Sequence, residues 1–341
     1  MISVSAPGKV HLIGEHAVVY GEPAIIAAIG MRAYVKAEKS EEVSLGSINL
    51  GEKATFDIKE IRELTKNMSQ QWKNGYSKGD FSQLSQSLSE DPLNPLALTV
   101  GKSLELLNAP SGISLEINSK IPINAGLGSS SSMSVAVPKA ISEAYDKHLN
   151  KDEVNKIAYE MEKFHHGTPS GGDNSACCYG GFVWFQKEDG TIVSLLNDEI
   201  PHKLENFVIV YVKEPEKTTG ELVQLVSALN PEVRNPIIKK LGELTQEMRK
   251  ALRNQDSKEI KKIINLAQEK LIKLGVSIKE IDHIYDEVKE IGGASKLSGA
   301  GGGGAMICYH DDLEKLIELV SDLGYDALKT EIGAEGVRVE R

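Results

Sequence analysis

The sequence predicts an α+β protein of two domains that meet near residue 200. A chain of 341 residues is long for a single hydrophobic core, because single cores stop growing at about 250–300 residues. The first 200 residues contain short apolar runs separated by turns, whereas the remainder contains amphipathic helical patterns between strand-like runs. We therefore expect an N-terminal domain over residues 1–200, with a polar insertion near 60–90, and a C-terminal domain over residues 201–341.

Short apolar runs define the predicted strands of the first domain. They cover residues 3–5, 9–13, 24–28, 33–37, 114–117 and 182–186. Helical patterns cover residues 131–145 and 153–164, and another helix is expected to begin near residue 170. The polar insertion is expected to be helical in part, with Trp72 and Phe81 as its apolar anchors, and prolines at positions 92 and 95 mark its end.

Amphipathic helices dominate the predicted second domain. Apolar residues recur at three- and four-residue steps and predict a helix over residues 231–252; they are Ile238, Leu241, Leu244, Met248 and Leu252. Further helices are expected over residues 259–274, 279–291 and 311–323. Strands are expected at residues 207–212, 294–297, 305–309, 327–330 and 337–339.

Composition excludes several classes of partner. The net charge of −10 argues against general binding of nucleic acid or an anionic membrane, because phosphate backbones require clustered Lys and Arg. Cys177, Cys178 and Cys308 match neither a disulfide framework nor a zinc spacing, and are expected to be buried thiols. The first residues do not resemble a signal peptide, and no apolar stretch reaches the ~20 residues that cross a bilayer. We expect a cytoplasmic protein.

Residues 122–132, PINAGLGSSSS, are the clearest candidate for a ligand-binding loop. Small residues let the backbone approach a ligand closely, and free N–H groups at the start of the following helix bind anions. The segment has neither the Gly-Lys-Ser/Thr of a P-loop nor the glycine spacing of a dinucleotide site. On this segment alone, a phosphate site and an ordinary capped turn both remain open.

A second glycine cluster occurs at residues 296–304, KLSGAGGGG. Five glycines among six residues lose much conformational entropy on folding, which is hard to explain for a plain hairpin between two strands. A flexible loop is one interpretation, and a backbone that closes on a bound ligand is the other.

Two carboxylates flank the predicted sharp loop in EKFHHGTPSGGD. Glu162 ends a predicted helix, and Asp173 follows the Pro/Gly turn. Phosphoryl transfer needs a carboxylate that holds Mg²⁺ and often a second group that orients or deprotonates the attacking hydroxyl. The alternative is a solvated helix end and an Asp that caps a turn.

A cation in the apolar run near the N-terminus completes the set. Lys9 lies in a strand-like segment, where a cation normally needs a partner, and Asp173 is the natural candidate. Lys9 would then lower the pKa of that carboxyl group. Glu15 and His16 follow a glycine turn and could recognise hydroxyl or carboxylate groups of a substrate. A solvated lysine on an edge strand is the alternative.

In this order the four stretches resemble the GHMP kinases, the family that phosphorylates galactose, homoserine, mevalonate and phosphomevalonate. PINAGLGSSSS is similar to the family's phosphate loop and KLSGAGGGG to its C-terminal glycine motif. APGKVHLIGEHAVVYG and HHGTPSGGDN resemble the members that act on mevalonate. The similarity extends over nearly the whole chain.

The resemblance implies a fold, a reaction and a set of site residues. The fold is a ribosomal-protein-S5-like N-terminal domain and a ferredoxin-like C-terminal domain with the active site between them. The reaction is the transfer of phosphate from ATP to the primary hydroxyl of mevalonate, in isoprenoid and hence lipid biosynthesis. Asp173 would be the catalytic base paired with Lys9, and Ser130 and Glu162 would hold Mg²⁺. ATP would contact Pro122, Asn124, Ala125, Gly126, Leu127, Gly128, Ser129, Ser130, Ser131 and Ser132. Substrate would contact Glu15, His16, Thr219, Gly299 and Ala300.

Three departures from the family pattern bear on the substrate. Gly172 stands where the family usually carries Ile or Val, which is expected to widen the acceptor pocket; Asn124 and Ser298 replace a common glycine and a common threonine. A kinase for a sugar or for phosphomevalonate therefore remains an alternative. So does a nucleotide-binding regulator without transfer activity, although a binder has no need of a base. The sequence leaves the oligomeric state open, a homodimer included.

Overall fold

The computed structural model describes residues 1–123, 125–167, 169–188 and 190–340. The strands, numbered in chain order, are β1 Ile2–Ile13, β2 Ala24–Ser40, β3 Val43–Ser47, β4 Glu52–Phe56, β5 Gly112–Ser119, β6 Phe182–Glu188, β7 Gly190–Leu195, β8 Leu204–Lys213, β9 Ala294–Ser298, β10 Gly304–Tyr309, β11 Ala327–Ile332 and β12 Arg338–Val339. The helices are α1 Ile58–Lys78, α2 Ser82–Ser89, α3 Asn94–Leu106, α4 Ser129–Ala144, α5 Lys151–His166, α6 Gly172–Tyr179, α7 Thr219–Ser227, α8 Pro231–Arg253, α9 Ser257–Lys273, α10 Lys279–Glu290 and α11 Leu313–Asp322. A 3₁₀ helix covers Ala17–Tyr20.

The long strand β2 joins the two halves of the chain into one sheet. The sheet runs in the order β4-β3-β5-β2-β11-β8-β10-β9, and β1 and β6 also pair with β2. Most of these pairs are antiparallel, while β3 and β5 are parallel. The junction between the halves is the pairing of Ile29 on β2 with Ile332 on β11, and β12 returns to pair with β1. The start of the chain is therefore held against elements from its end.

Two large clusters of buried apolar side chains form the core. One lies among β1–β3, β5 and helices α3–α6. The other lies among β8–β11 and helices α8–α11, and it extends to the Ile25 and Ile29 face of β2. Strands β1 and β2 contribute side chains to both clusters and therefore link them.

Several predicted elements are longer than the sequence indicated. The runs at 3–5 and 9–13 are one strand, β1, which continues past Pro7 with a register shift between Pro7 and Lys9. The runs at 24–28 and 33–37 likewise belong to the single strand β2. Pro92 lies between α2 and α3, and Pro95 lies in the first turn of α3, where its missing N–H is not needed. The polar insertion is helical, and its anchors Trp72 and Phe81 pack in one small cluster.

The three cysteines are free and buried, as predicted. Among the helices that the structure describes, none has both the length and the hydrophobicity of a membrane-spanning segment.

Candidate active site

The predicted phosphate loop leads into α4 through Gly128, which begins the helix in the left-handed conformation, with φ 73°. A side chain at this position would bring its Cβ within 2.7 Å of Lys9 Cγ, so only glycine fits both the dihedral angle and the close approach. The backbone N–H of Lys9 donates to Leu127 O at 2.9 Å, which fixes β1 against the loop. No described side chain caps the N-terminus of α4, and helix starts of this kind attract anions.

A cavity of about 460 Å³ lies over this helix start. The predicted ATP-contacting residues that line it are Pro122, Ala125, Gly126, Leu127, Gly128, Ser129, Ser130 and Ser131. Ser132 is not brought to the cavity: its hydroxyl donates to Ala6 O at 2.8 Å and its N–H donates to Gly128 O. Asn124 lies outside the described residues.

Asp173 lies in the first turn of α6, between two side chains of β1. Lys9 Nζ is 3.0 Å from Oδ2 of Asp173, the contact that the sequence predicts, and His11 Nε2 is 3.6 Å from Oδ1. Burial alone would raise the pKa of Asp173, but the charge of Lys9 and the contact with His11 outweigh burial and hold this pKa far below its ordinary value. Asp173 is therefore a carboxylate at neutral pH.

Glu162 is buried near the end of α5, with only 1% of its surface exposed. The hydroxyls of Ser131 and Ser134 donate to its two oxygens at 2.8 and 2.9 Å. Ser130, the predicted metal ligand, lines the phosphate-loop cavity one residue before Ser131. No cluster of three or more His, Cys, Asp or Glu side chains among the described residues is arranged to hold a metal. One carboxylate and one hydroxyl nevertheless suit Mg²⁺, which commonly takes one or two protein carboxylates and completes its shell with substrate phosphates.

Glu15 is held by Lys296 in a fully buried ion pair between the loop after β1 and strand β9. Lys296 also donates to Leu297 O at 2.7 Å. Burial lowers the pKa of Lys296, and the nearby Glu15 charge opposes that effect. Oε2 of Glu15 has no hydrogen-bond partner within the described part of the chain. A buried acceptor without a partner is costly, so this oxygen is a candidate contact for a ligand hydroxyl.

His16 connects the same loop to the second glycine cluster. Its Nε2 donates to Ala300 O at 2.8 Å. Burial lowers the pKa of His16, and the hydrogen bond to Ala300 only partly offsets this, so the ring is neutral at pH 7. His16 adopts φ 60°, an uncommon value for a residue other than glycine. The glycine cluster thus forms a wall of the site rather than a free loop.

A second cavity, of about 490 Å³, lies between these two segments. The predicted residues that line it are Lys9, Glu15, His16, Ala125, Gly126, Glu162, Asp173, Thr219, Gly299 and Ala300. Lys9 and Asp173 also line the cavity over the phosphate loop. The two side chains therefore lie where a phosphate-binding cavity meets a polar cavity, which is the arrangement that a transfer between two ligands requires.

Gly172 does not widen the acceptor cavity, and that expectation is wrong. A Cβ at this position would lie 2.6 Å from Ile26 Cδ1 and 3.3 Å from Phe185. It would therefore point into the apolar cluster formed by Ile26, Ala176, Val183 and Phe185. A side chain at position 172 would therefore displace the end of Ile26 rather than project into the acceptor cavity.

The sequence interpretation did not single out two residues of the site, His11 and Lys296. His11 follows Lys9 by two residues, so strand alternation places both side chains on one face of β1. Lys296 is a cation in an apolar strand, and the argument that gave Lys9 a partner applies to it equally. Both residues could have been found by these signals.

Comparisons with known proteins show which family the chain resembles in sequence and fold. The GHMP kinases N-terminal domain matches residues 95–181, and the GHMP kinases C-terminal domain matches residues 248–327. The mevalonate kinase of Thermococcus sibiricus is 32% identical over 349 aligned residues, covering 99% of this chain and 98% of that protein. A crystal structure of a mevalonate kinase is similar with a TM-score of 0.81 at 28% identity, covering 98% of this chain and all of that one. The structure of Methanococcus jannaschii mevalonate kinase has a TM-score of 0.76 at 29% identity, covering 99% and 96%.

Proposed function

The chain belongs to the GHMP kinase family, and from that premise we propose that it transfers the γ-phosphoryl group of ATP to the primary hydroxyl of mevalonate. The products are 5-phosphomevalonate and ADP, in the synthesis of isoprenoid precursors. The observation that carries the proposal is the meeting of two cavities at Lys9 and Asp173. One cavity offers an uncapped helix start, which suits phosphates, and the other offers carboxylate and imidazole groups, which hydrogen-bond hydroxyls.

Asp173 and Lys9 act on the attacking hydroxyl in this proposal. Asp173 orients the hydroxyl and takes its proton as the oxygen attacks the γ-phosphorus. Lys9, 3.0 Å from Asp173, keeps that carboxylate ionised and stabilises negative charge on the transferred group. A positioned base typically contributes about 10²–10⁴-fold to the rate, and positioning and charge neutralisation supply the remainder.

Mg²⁺ is the metal that we assign to the phosphate side of the site, with Ser130 and Glu162 as its protein ligands. When bound, Mg²⁺ neutralises charge on the phosphates of ATP. The hydroxyls of Ser131 and Ser134 fix the orientation of the Glu162 carboxylate. The protein's own contribution is thus a pre-oriented carboxylate beside the helix start.

The acceptor is held by Glu15, His16, Thr219, Gly299 and Ala300 in this proposal. These residues line one cavity, and the unpartnered Oε2 of Glu15 can accept a hydrogen bond from a substrate hydroxyl. We further propose that the chain divides into two domains at residue 200, that the protein is cytoplasmic and that it can form a homodimer. The net charge of −10 argues against nucleic acid and anionic membranes as partners.

Phosphomevalonate is the acceptor alternative with the most specific requirement. It needs cationic side chains for its phosphate. In this cavity Lys9 is paired with Asp173 and Glu15 is paired with Lys296, so that Lys217 is the one further lysine among the described residues that line it. A regulator without transfer activity needs no carboxylate at the junction of two cavities. Neither alternative explains the site as well as a mevalonate kinase does.

A coupled assay of ADP formation with mevalonate, phosphomevalonate, galactose and homoserine tests the proposal. We expect kcat/KM for mevalonate to exceed that for each other acceptor by at least about 100-fold, which corresponds to roughly 2.7 kcal/mol of differential transition-state binding. Preference for another acceptor would move the assignment within the family. ATP binding without turnover on any of the four would favour the regulator.

A further inference from the structure

We propose that His11 is the residue that receives the substrate proton from Asp173 and passes it to solvent. This inference rests on the proposed function. His11 lies on the same face of β1 as Lys9, and it lines the acceptor cavity. Lys9 and His11 approach different oxygens of the one Asp173 carboxylate.

The two oxygens of Asp173 have different surroundings. Oδ2 is 3.0 Å from the ammonium group of Lys9, a lysine whose side chain is only 7% exposed. Oδ1 is 3.6 Å from His11 Nε2, and the side chain of His11 is 20% exposed. The oxygen beside Lys9 is occupied by a cation that cannot accept a proton. Oδ1 is therefore the oxygen suited to take the hydroxyl proton, with an imidazole nitrogen beside it.

The backbone of His11 is held in place by two side chains of β9. The backbone N–H of His11 donates to Ser298 Oγ at 3.0 Å, and the carbonyl of His11 accepts from Lys296 Nζ at 3.3 Å. Both partners belong to β9, so the strand from the second half of the chain fixes the position of His11. The 3.6 Å separation from Asp173 is longer than a hydrogen bond, and such contacts commonly shorten when a substrate binds.

The transfer reaction releases the hydroxyl proton of the acceptor, and Asp173 and His11 are arranged to remove it. Transfer forms a bond from the acceptor oxygen to the γ-phosphorus, breaks the bond from that phosphorus to the ADP oxygen, and frees the hydroxyl proton. Asp173 has a strongly lowered pKa because of Lys9, so it binds this proton only briefly. A neutral imidazole accepts a proton readily near pH 7. The proton moves from the hydroxyl to Asp173 Oδ1 and then to His11 Nε2. It leaves from that same nitrogen to water once the products have dissociated, because Nδ1 is buried.

Several charged and titratable groups surround His11. Lys9 lies on the same strand, Asp173 faces it from α6, and His16 follows in the next turn. Lys296 of β9 donates to the carbonyl of His11 and forms an ion pair with Glu15. Nδ1 of His11 is buried with no hydrogen-bond partner in the described ranges, so a proton on the ring is not sequestered by a second carboxylate.

Chemical rescue distinguishes a relay from a purely structural role. In the purified full chain, with Mg·ATP and saturating mevalonate, we expect His11→Ala to lower kcat about 10- to 100-fold. This loss is no larger than the smallest rate contribution typical of a general base, about 100-fold. Imidazole added in the millimolar range should restore turnover at least threefold in a concentration-dependent manner. His11→Asn keeps a hydrogen-bond donor but cannot accept the proton, so it should be as slow as His11→Ala. KM for ATP should change less than twofold in both variants.

The outcomes separate this inference from the proposed function. A wild-type chain that does not phosphorylate mevalonate would count against the proposed function, whereas an active wild type with kcat unchanged in His11→Ala would overturn the relay. Full activity in His11→Asn, or a loss that imidazole does not restore, would also overturn it, because a donor or a filled space would then suffice. His283→Ala is the matched control: this histidine is 61% exposed on α10, and neither its replacement nor imidazole should change the rate. Thermal unfolding of each variant verifies that the fold is retained.

Discussion

Replacing Lys296 with Met removes one partner of an ion pair that is completely buried, with side-chain exposures of 0% for Lys296 and 1% for Glu15. Breaking such a pair leaves an uncompensated charge and typically costs about 3–5 kcal/mol. Unfolding entropy is about 2.1 cal/mol/K per residue, which for 341 residues is about 0.7 kcal/mol/K. The expected loss therefore lowers Tm by about 4–7 °C.

Differential scanning calorimetry on three variants measures this effect. Lys296→Met should show the full loss, whereas the double variant Glu15→Gln with Lys296→Met should regain at least half of it, because both charges are then absent. Lys262→Met is the matched control, since the side chain of Lys262 is 62% exposed and an exposed pair contributes about 0–1 kcal/mol. A change in Tm below 1 °C for Lys296→Met, or a double variant less stable than the single one, would refute the reasoning.

Three further predictions concern the glycines and the carboxylate of the site. Gly128→Ala should raise KM for ATP and cost about 1–3 kcal/mol of stability, because the new Cβ meets Lys9 at a positive φ; unchanged ATP titrations would contradict this. Gly172→Ala should cost about 1 kcal/mol through overpacking against Ile26 with KM for mevalonate within twofold of wild type, and a large rise in that KM would show that position 172 shapes the acceptor cavity after all. Asp173 has a lowered pKa in the folded state, so its ionisation stabilises the fold above the unfolded pKa of about 3.9 and this contribution is lost as pH falls through the folded pKa. In urea titrations, the stability difference between wild type and Asp173→Asn should thus stay constant from pH 8 to pH 5 and shrink only below about pH 4; a difference that disappears near pH 6 would contradict the assignment.

Local sequence patterns predicted the elements whose signal lies within one segment. The helix pattern over residues 231–252 corresponds to α8, Pro231–Arg253, because its apolar residues repeat with helical spacing. Weaker strands were missed: β3 and β4 are five residues each, and β4 is largely exposed. Their pairing depends on neighbours distant in sequence, such as β5 beside β3, which a local pattern does not contain.

In the site, too, features within one segment could be predicted, whereas contacts between distant segments could not. The glycine loops and the candidate pair of Lys9 with Asp173 could be predicted, because each carries an unusual residue in a context that demands an explanation. The partner of Glu15 could not be fixed, since Lys296 lies 281 positions away in the sequence. The direction in which a side chain at position 172 would point could not be predicted either, because it depends on how α6 packs on β2 and β6.

The most direct test of the central claim measures mevalonate-dependent ADP formation and ATP binding in wild type and in Asp173→Asn. We expect the variant to bind ATP with a Kd within about threefold of wild type, while kcat falls by about 10²–10⁴-fold, the contribution of a positioned base. The cause is the loss of the carboxylate that lies 3.0 Å from Lys9, where the two cavities meet. Turnover by Asp173→Asn within tenfold of wild type would contradict the assignment of Asp173 as the base.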